Sequence, residues 1–145
     1  MKTLPALLLA ACAFPVLAEN WPAWRGPRGD GTSAERNVPT KWSGTENVVW
    51  KTPLAIGHAS PIVWGDRVFV TLADRQTREQ ENAKQIPDHH VACFRVADGS
   101  ELWRTKIAPG AQHAGYNIFA TPTPVTDGKT VFAWFASGVL AACDF

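Results

Sequence analysis

Few residues in this chain are of a type that does chemistry near neutral pH. His58 lies in a small-residue link just ahead of a short apolar strand, and His113, Tyr116 and Asn117 lie in the loop ahead of a second, similar strand. Polar groups from equivalent loops that converge on one opening make a small-ligand site. The plainer alternative is that they are loop residues satisfied by water and backbone. His89 and His90 are adjacent in a predicted strand, so their side chains point to opposite faces and cannot share one metal ion. There is no Cys-x-x-Cys and no nucleotide-binding glycine loop, and Ser60 and Ser137 lack a nucleophile elbow. On the residues alone no catalytic, cofactor-binding or metal-binding residue is assigned.

The elements that must position these groups come from one repeat. Residues 121–145, TPTPVTDGKTVFAWFASGVLAACDF, read as three short strands with tight turns at Asp127-Gly128 and Ser137-Gly138. Pro122 and Pro124 stand at the start of the first strand, where a missing N–H is tolerated. Residues 130–136 are apolar at alternate and intervening positions, which predicts a strand buried on both faces. The pattern occurs once before. Pro61, Gly65, Val68 and Phe69 fall on Pro124, Gly128, Val131 and Phe132 with a shift of 63, and Val91-Ala92-Cys93 falls on Ala141-Ala142-Cys143 with a shift of 50. The difference is an insertion at residues 74–88, a polar stretch expected to be a solvated loop with room for a turn of helix.

In chain order, residues 48–54 are expected to be a first strand, and 61–64 and 67–73 a hairpin around Gly65-Asp66. Residues 89–96 form a third strand, Asp98-Gly99 a turn, 101–107 a fourth strand carrying Trp103, and 108–120 a longer loop. Residues 19–47 form an extended arm, too rich in proline and glycine for a long helix, with Trp21, Trp24 and Trp42 as anchors and a short helical turn near 33–36. Cys93 and Cys143 then occupy matching places in the two repeats. They read as small buried hydrophobes, although an exported protein also permits a disulfide.

Residues 1–18 read as a secretory signal: Lys2, a short apolar run, and Val16-Leu17-Ala18 before Glu19. The apolar run is too short to span a bilayer. Leu9-Ala10-Ala11-Cys12 also resembles a lipobox, which would anchor the protein by lipid at Cys12. The chain is thus expected to be exported, as a periplasmic, secreted or lipid-anchored protein. Loss of residues 1–18 removes one lysine and leaves 13 basic and 13 acidic residues. That balance gives no electrostatic reason for nucleic-acid binding. An apolar content of 46% is enough for a core.

An up-and-down four-stranded sheet repeated along a chain is the unit of a β-propeller, in which neighbouring blades dry one another's faces. The segment from Cys93 to Trp103, CFRVADGSELW, resembles the repeat of the pyrroloquinoline-quinone (PQQ)-like propellers, whose blades end in a pattern like A-x-D-x-x-T-G-x-x-x-W. Gly99 and Trp103 match it, while Phe94 or Arg95 replaces the usual Asp and Asp98 the usual Thr. The opening Trp21-Pro22-Ala23-Trp24-Arg25-Gly26-Pro27, with Gly31, Trp50-Lys51, Ser60-Pro61-Ile62-Val63 and Thr123-Pro124-Val125-Thr126-Asp127-Gly128, is similar to exported bacterial members of that superfamily.

The resemblance spans residues 20–145 and implies an all-β fold: a propeller of which 48–145 hold about the first two blades, after a signal at 1–18 and an arm at 19–47. The chain then reads as the N-terminal part of a larger ring, with 48–54 as the strand that closes it. Gly99, Trp103 and Gly128 are structural blade positions, and His58, His113, Tyr116 and Asn117 stand at the channel mouth. The expected function is a non-enzymatic exported binding or scaffold module, similar to the outer-membrane assembly factor BamB, with a protein or small-ligand partner on a propeller face. The alternative is a quinoprotein dehydrogenase holding PQQ and Ca²⁺, whose site would lie mainly in other blades. The adjacent cysteine pair such enzymes often use is absent here. A propeller joined to a hydrolase or kinase-like domain is a third reading.

Overall fold

A computed structural model describes residues 18–111 and 119–145. The described chain is mostly antiparallel β-sheet. Strands β1 (Ile62–Trp64), β2 (Arg67–Ala73), β3 (His89–Arg95) and β4 (Glu101–Ile107) form one sheet in that order. Strands β5 (Val125–Thr126), β6 (Thr130–Phe135) and β7 (Val139–Asp144) form a second. The polar insertion carries helix α1 (Arg78–Asn82), with no buried residue and a capping box in which Thr77 and Gln80 satisfy each other's backbone.

The turns follow from side chains that replace lost backbone partners. Asp127 Oδ1 accepts from the backbone N–H of Lys129 (2.9 Å) and of Thr130 (2.8 Å), and Asp98 Oδ1 does the same for Ser100 (2.9 Å). Gly128 (φ +92°) and Gly99 (φ +69°) take up the left-handed backbone these turns require. Each is also roofed by an indole, Gly128 by Trp64 and Gly99 by Trp50, so a Cβ at either would collide with the ring.

The repeat is present in the ladders. Ile62 pairs with Phe69 and Val63 with Val68 in the first sheet; Val125 pairs with Phe132 and Thr126 with Val131 in the second, each displaced by the expected 63 residues. The third strands differ from expectation by one residue. Phe69 pairs with Cys93, but Phe132 pairs with Ala142, and Cys143 pairs with Val131. The structural equivalent of Cys93 is therefore Ala142, not Cys143. A run of Ala and Cys carries no information on which face is which, and a slip of one residue exchanges the faces.

This register explains how the sheets pack. Paired residues share a face. In the first sheet Ile62, Phe69, Ala73, Val91 and Cys93 enter the core between the sheets; in the second it is Val131, Ala133, Phe135 and Cys143. By equivalence these are opposite faces of the unit, so the two sheets stack head to tail. The other face of the first sheet, Val68, Val70, Leu72, Ala92 and Phe94, packs with Ala55. The other face of the second sheet is bare: Val125, Phe132, Trp134 and Leu140 are exposed, Leu140 by 74%. Each occupies the place of a residue that is buried in the first sheet. Strand β6 is thus alternately buried and exposed, not dry on both sides as its composition suggests.

The arm and the expected first strand also depart from expectation. Residues 48–54 are in no strand and 33–36 in no helix. Residues 50–55 run instead across the Val70/Leu72/Phe94 face. Trp50 Nε1 donates to the Val96 carbonyl (2.7 Å) and Thr52 Oγ1 to the Gly99 carbonyl (2.8 Å), bonds to a turn that a ladder strand would not make. Ile56 alone bridges to Ala73. Further upstream, Trp21 exchanges backbone bonds with Val63 (2.8 and 2.9 Å), and Pro22 accepts from Thr126 (3.0 Å), so the arm ties both sheets.

Candidate functional site

The links ahead of β1 and β5 meet at the junction of the two sheets. The N–H groups of His58 and Ala59 both donate to the Ala120 carbonyl (3.0 and 3.2 Å), Ser60 N to Thr123 Oγ1 (3.1 Å), and Thr71 Oγ1 to the Pro122 carbonyl (3.4 Å). The close packing has a local cause. A Cβ at Gly57 would collide with the Thr71 carbonyl. His58 itself is exposed at this junction. His113, Tyr116 and Asn117, expected beside it, lie outside the described residues, as does Cys12.

Below the junction is a polar pair whose members, His89 and Ser137, are 48 residues apart in sequence. His89 is fully buried between the sheets, its ring stacked on Phe135 at 4.7 Å and on Phe119 at 5.6 Å. Its Nε2 is 2.7 Å from Ser137 Oγ, in the β6–β7 turn. Its Nδ1 is buried with no hydrogen-bond partner among the described residues. Burial between two phenyl rings holds the imidazole pKa below its usual value, with the neighbouring Asp88 opposing the effect. Serine and histidine at this distance resemble a nucleophile and its base, but Ser137 is only 1% exposed, buried between the sheets. The pair acts as a polar pin between sheets. His90 points the other way, to Asp74 at 3.0 Å, as expected for adjacent strand residues. The signal for His89 was available: it alternates with Val91 and Cys93 on one face of β3.

Cys93 and Cys143 are free and buried. Burial pushes the Cys93 thiol up to about 11 and raises Cys143, so neither is a ready nucleophile. Trp103 is half-buried against Phe69 (6.0 Å) within the intersheet cluster, and its buried Nε1–H has no hydrogen-bond partner among the described residues. Gly99 and Gly128 have structural roles at turns, as described above.

One apolar groove of about 340 Å³ is lined by Trp50, Leu54, Val68, Val70, Leu72 and Phe94. It lies where residues 50–55 cross the first sheet. Among the described residues no three His, Cys, Asp or Glu are grouped to hold a metal ion. Among them, too, no helix is long and apolar enough to cross a membrane. Comparisons with protein-family models, curated proteins and solved structures returned no match.

Proposed function

We propose that this chain carries two successive blades of an exported PQQ-like β-propeller that serves as a non-enzymatic binding or scaffold module. The observation that supports it is the head-to-tail stack. The bare face of β5–β7 is the equivalent of the face that, in the first sheet, is covered by a neighbouring sheet. A stack of this kind repeats naturally, and repetition about an axis yields a propeller. The loop junction at His58 then lies where links from successive blades gather, the place for a protein or small-ligand partner. The signal-like residues 1–18 support export.

The test is an absorbance titration of the purified exported protein with PQQ and Ca²⁺, with a dye-reduction assay alongside. A binding module takes up no stoichiometric quinone and reduces no dye. Stoichiometric uptake with dye reduction would establish the dehydrogenase reading in its place.

A further inference from the structure

The first residue after the signal-like segment is the hub of the arm. The Glu19 carboxylate accepts from Arg28 Nη1 (2.6 Å) and Nη2 (3.4 Å), from Ser33 Oγ (3.1 Å) and from the Ala34 N–H (3.1 Å). Its pKa is lowered to about 2, first by the Arg28 hydrogen bond and then by the Ala34 N–H. Arg28 also donates to the Thr32 carbonyl (2.6 Å), and Asp30 Oδ1 holds the Thr32 N–H and hydroxyl (both 2.8 Å). Residues 19–35 thus form a closed loop fastened by one side chain. The loop is coupled to the sheets through the adjacent Asn20, whose Oδ1 accepts from Gly65 N (2.7 Å), and through Trp21 and Pro22.

The backbone nitrogen of Glu19 is also engaged, donating to Glu35 Oε1 at 2.6 Å. An internal amide gains a single neutral-donor bond from this. The same atom becomes an ammonium if the Ala18–Glu19 peptide bond is hydrolysed: water adds across the amide, the leader leaves with a carboxylate on Ala18, and the Glu19 nitrogen takes up protons to carry a positive charge. A charge-assisted bond is about twice as strong as a neutral one.

We propose that Glu35 is the receptor for the chain's own processed N-terminus, so that cleavage after Ala18 strengthens the bond that fastens the 19–35 loop and with it the clasp across β1 and β5. The inference rests on the export reading for the origin of the new terminus. The charged groups that face it are Glu35, the Glu19 carboxylate with its partner Arg28, and Asp30 beyond Arg28. Arg28 is neutralised by the Glu19 carboxylate, which leaves Glu35 as the uncompensated partner for the ammonium.

The experiment uses two preparations: the chain exported by a bacterial host, and the same chain released from a fusion so that it begins at Glu19. Intact mass and N-terminal sequencing read the exported product, for which Glu19 is expected as the first residue. Titration of the isotopically dimethylated terminus by NMR is expected to give a pKa about one unit above the ordinary α-amino range near 7.7–8.0. At pH 7 this slows acylation of the amine roughly tenfold. Glu35→Gln returns both values to the ordinary range, and Glu46→Gln, a change to another exposed carboxylate, leaves them shifted. An ordinary pKa in the Glu19-initiated protein, or a Glu35→Gln variant indistinguishable from it, overturns the capture. An exported product that starts elsewhere, with the shift intact in the fusion-derived protein, overturns cleavage after Ala18 alone, and a chain that is not exported overturns the export reading.

Discussion

The two sheets are built from one pattern with one register, yet they live in different surroundings. Phe69 is fully buried and its equivalent Phe132 is 38% exposed. Ile62 is buried and its equivalent Val125 is exposed; Val91 is buried and Leu140 is exposed. The first sheet is covered on one side by the second sheet and on the other by residues 50–55. The second sheet is covered on one side only. The hydrophobic pattern of a unit therefore states what the unit can bury, and its neighbours decide what it does bury.

The comparison can be broken most sharply at the equivalent phenylalanines. Phe69→Ala opens a void between the sheets and is expected to cost about 3–5 kcal/mol, whereas Phe132→Ala should cost under about 1 kcal/mol. Urea midpoints measure both, and equal losses would mean that the two faces are not buried unequally. Next come the roofed turn glycines. Gly99→Ala and Gly128→Ala each force a Cβ into an indole at positive φ, with an expected cost of about 1–3 kcal/mol. Because the two turns are alike, the two losses should match, and a large difference would argue against their equivalence.

Acid tests the pin between the sheets. Burial lowers the folded-state pKa of His89, so the unfolded chain binds the proton first. Stability is then full above about pH 6.5 and falls as pH drops below it, by at most about 1.4 kcal/mol per unit, until the folded pKa is reached. His89→Gln should remove that dependence, and a wild-type protein equally stable at pH 7.5 and 5.5 would show that the ring is not held neutral. The smallest effect is expected on the bare face. Trp134→Ser with Leu140→Ser should change stability by no more than about 0.5 kcal/mol while sharply reducing binding of a hydrophobic dye.

Much of the strand framework was legible. Proline, glycine and aspartate at turns placed both hairpins, because those residues meet a backbone need that is local. The polar composition of 74–88 foretold an exposed loop with a turn of helix. What depends on tertiary contact was not legible. The run VVWKTPL has the composition of a strand, but Trp50 and Thr52 are held by a turn of the first sheet, and no edge takes the segment into a ladder. The identity of Cys93 with Cys143 suggested the wrong register, since small residues fit either face. At the site, His58 was placed correctly ahead of β1, while His89 was weighed only as a metal ligand. Its role is set by Phe119, Phe135 and Ser137, all distant in sequence. Their convergence on one ring is a product of the stack.

Hydroxyl-radical footprinting of the folded 145-residue protein tests the head-to-tail stack most directly. Strong labelling of Trp134 and Leu140, with Phe69 and Phe135 protected until the chain is unfolded, is the expected result. Protection of Trp134 and Leu140 together with labelling of Phe135 would mean that the second sheet presents its other face to the first, and would contradict the stack.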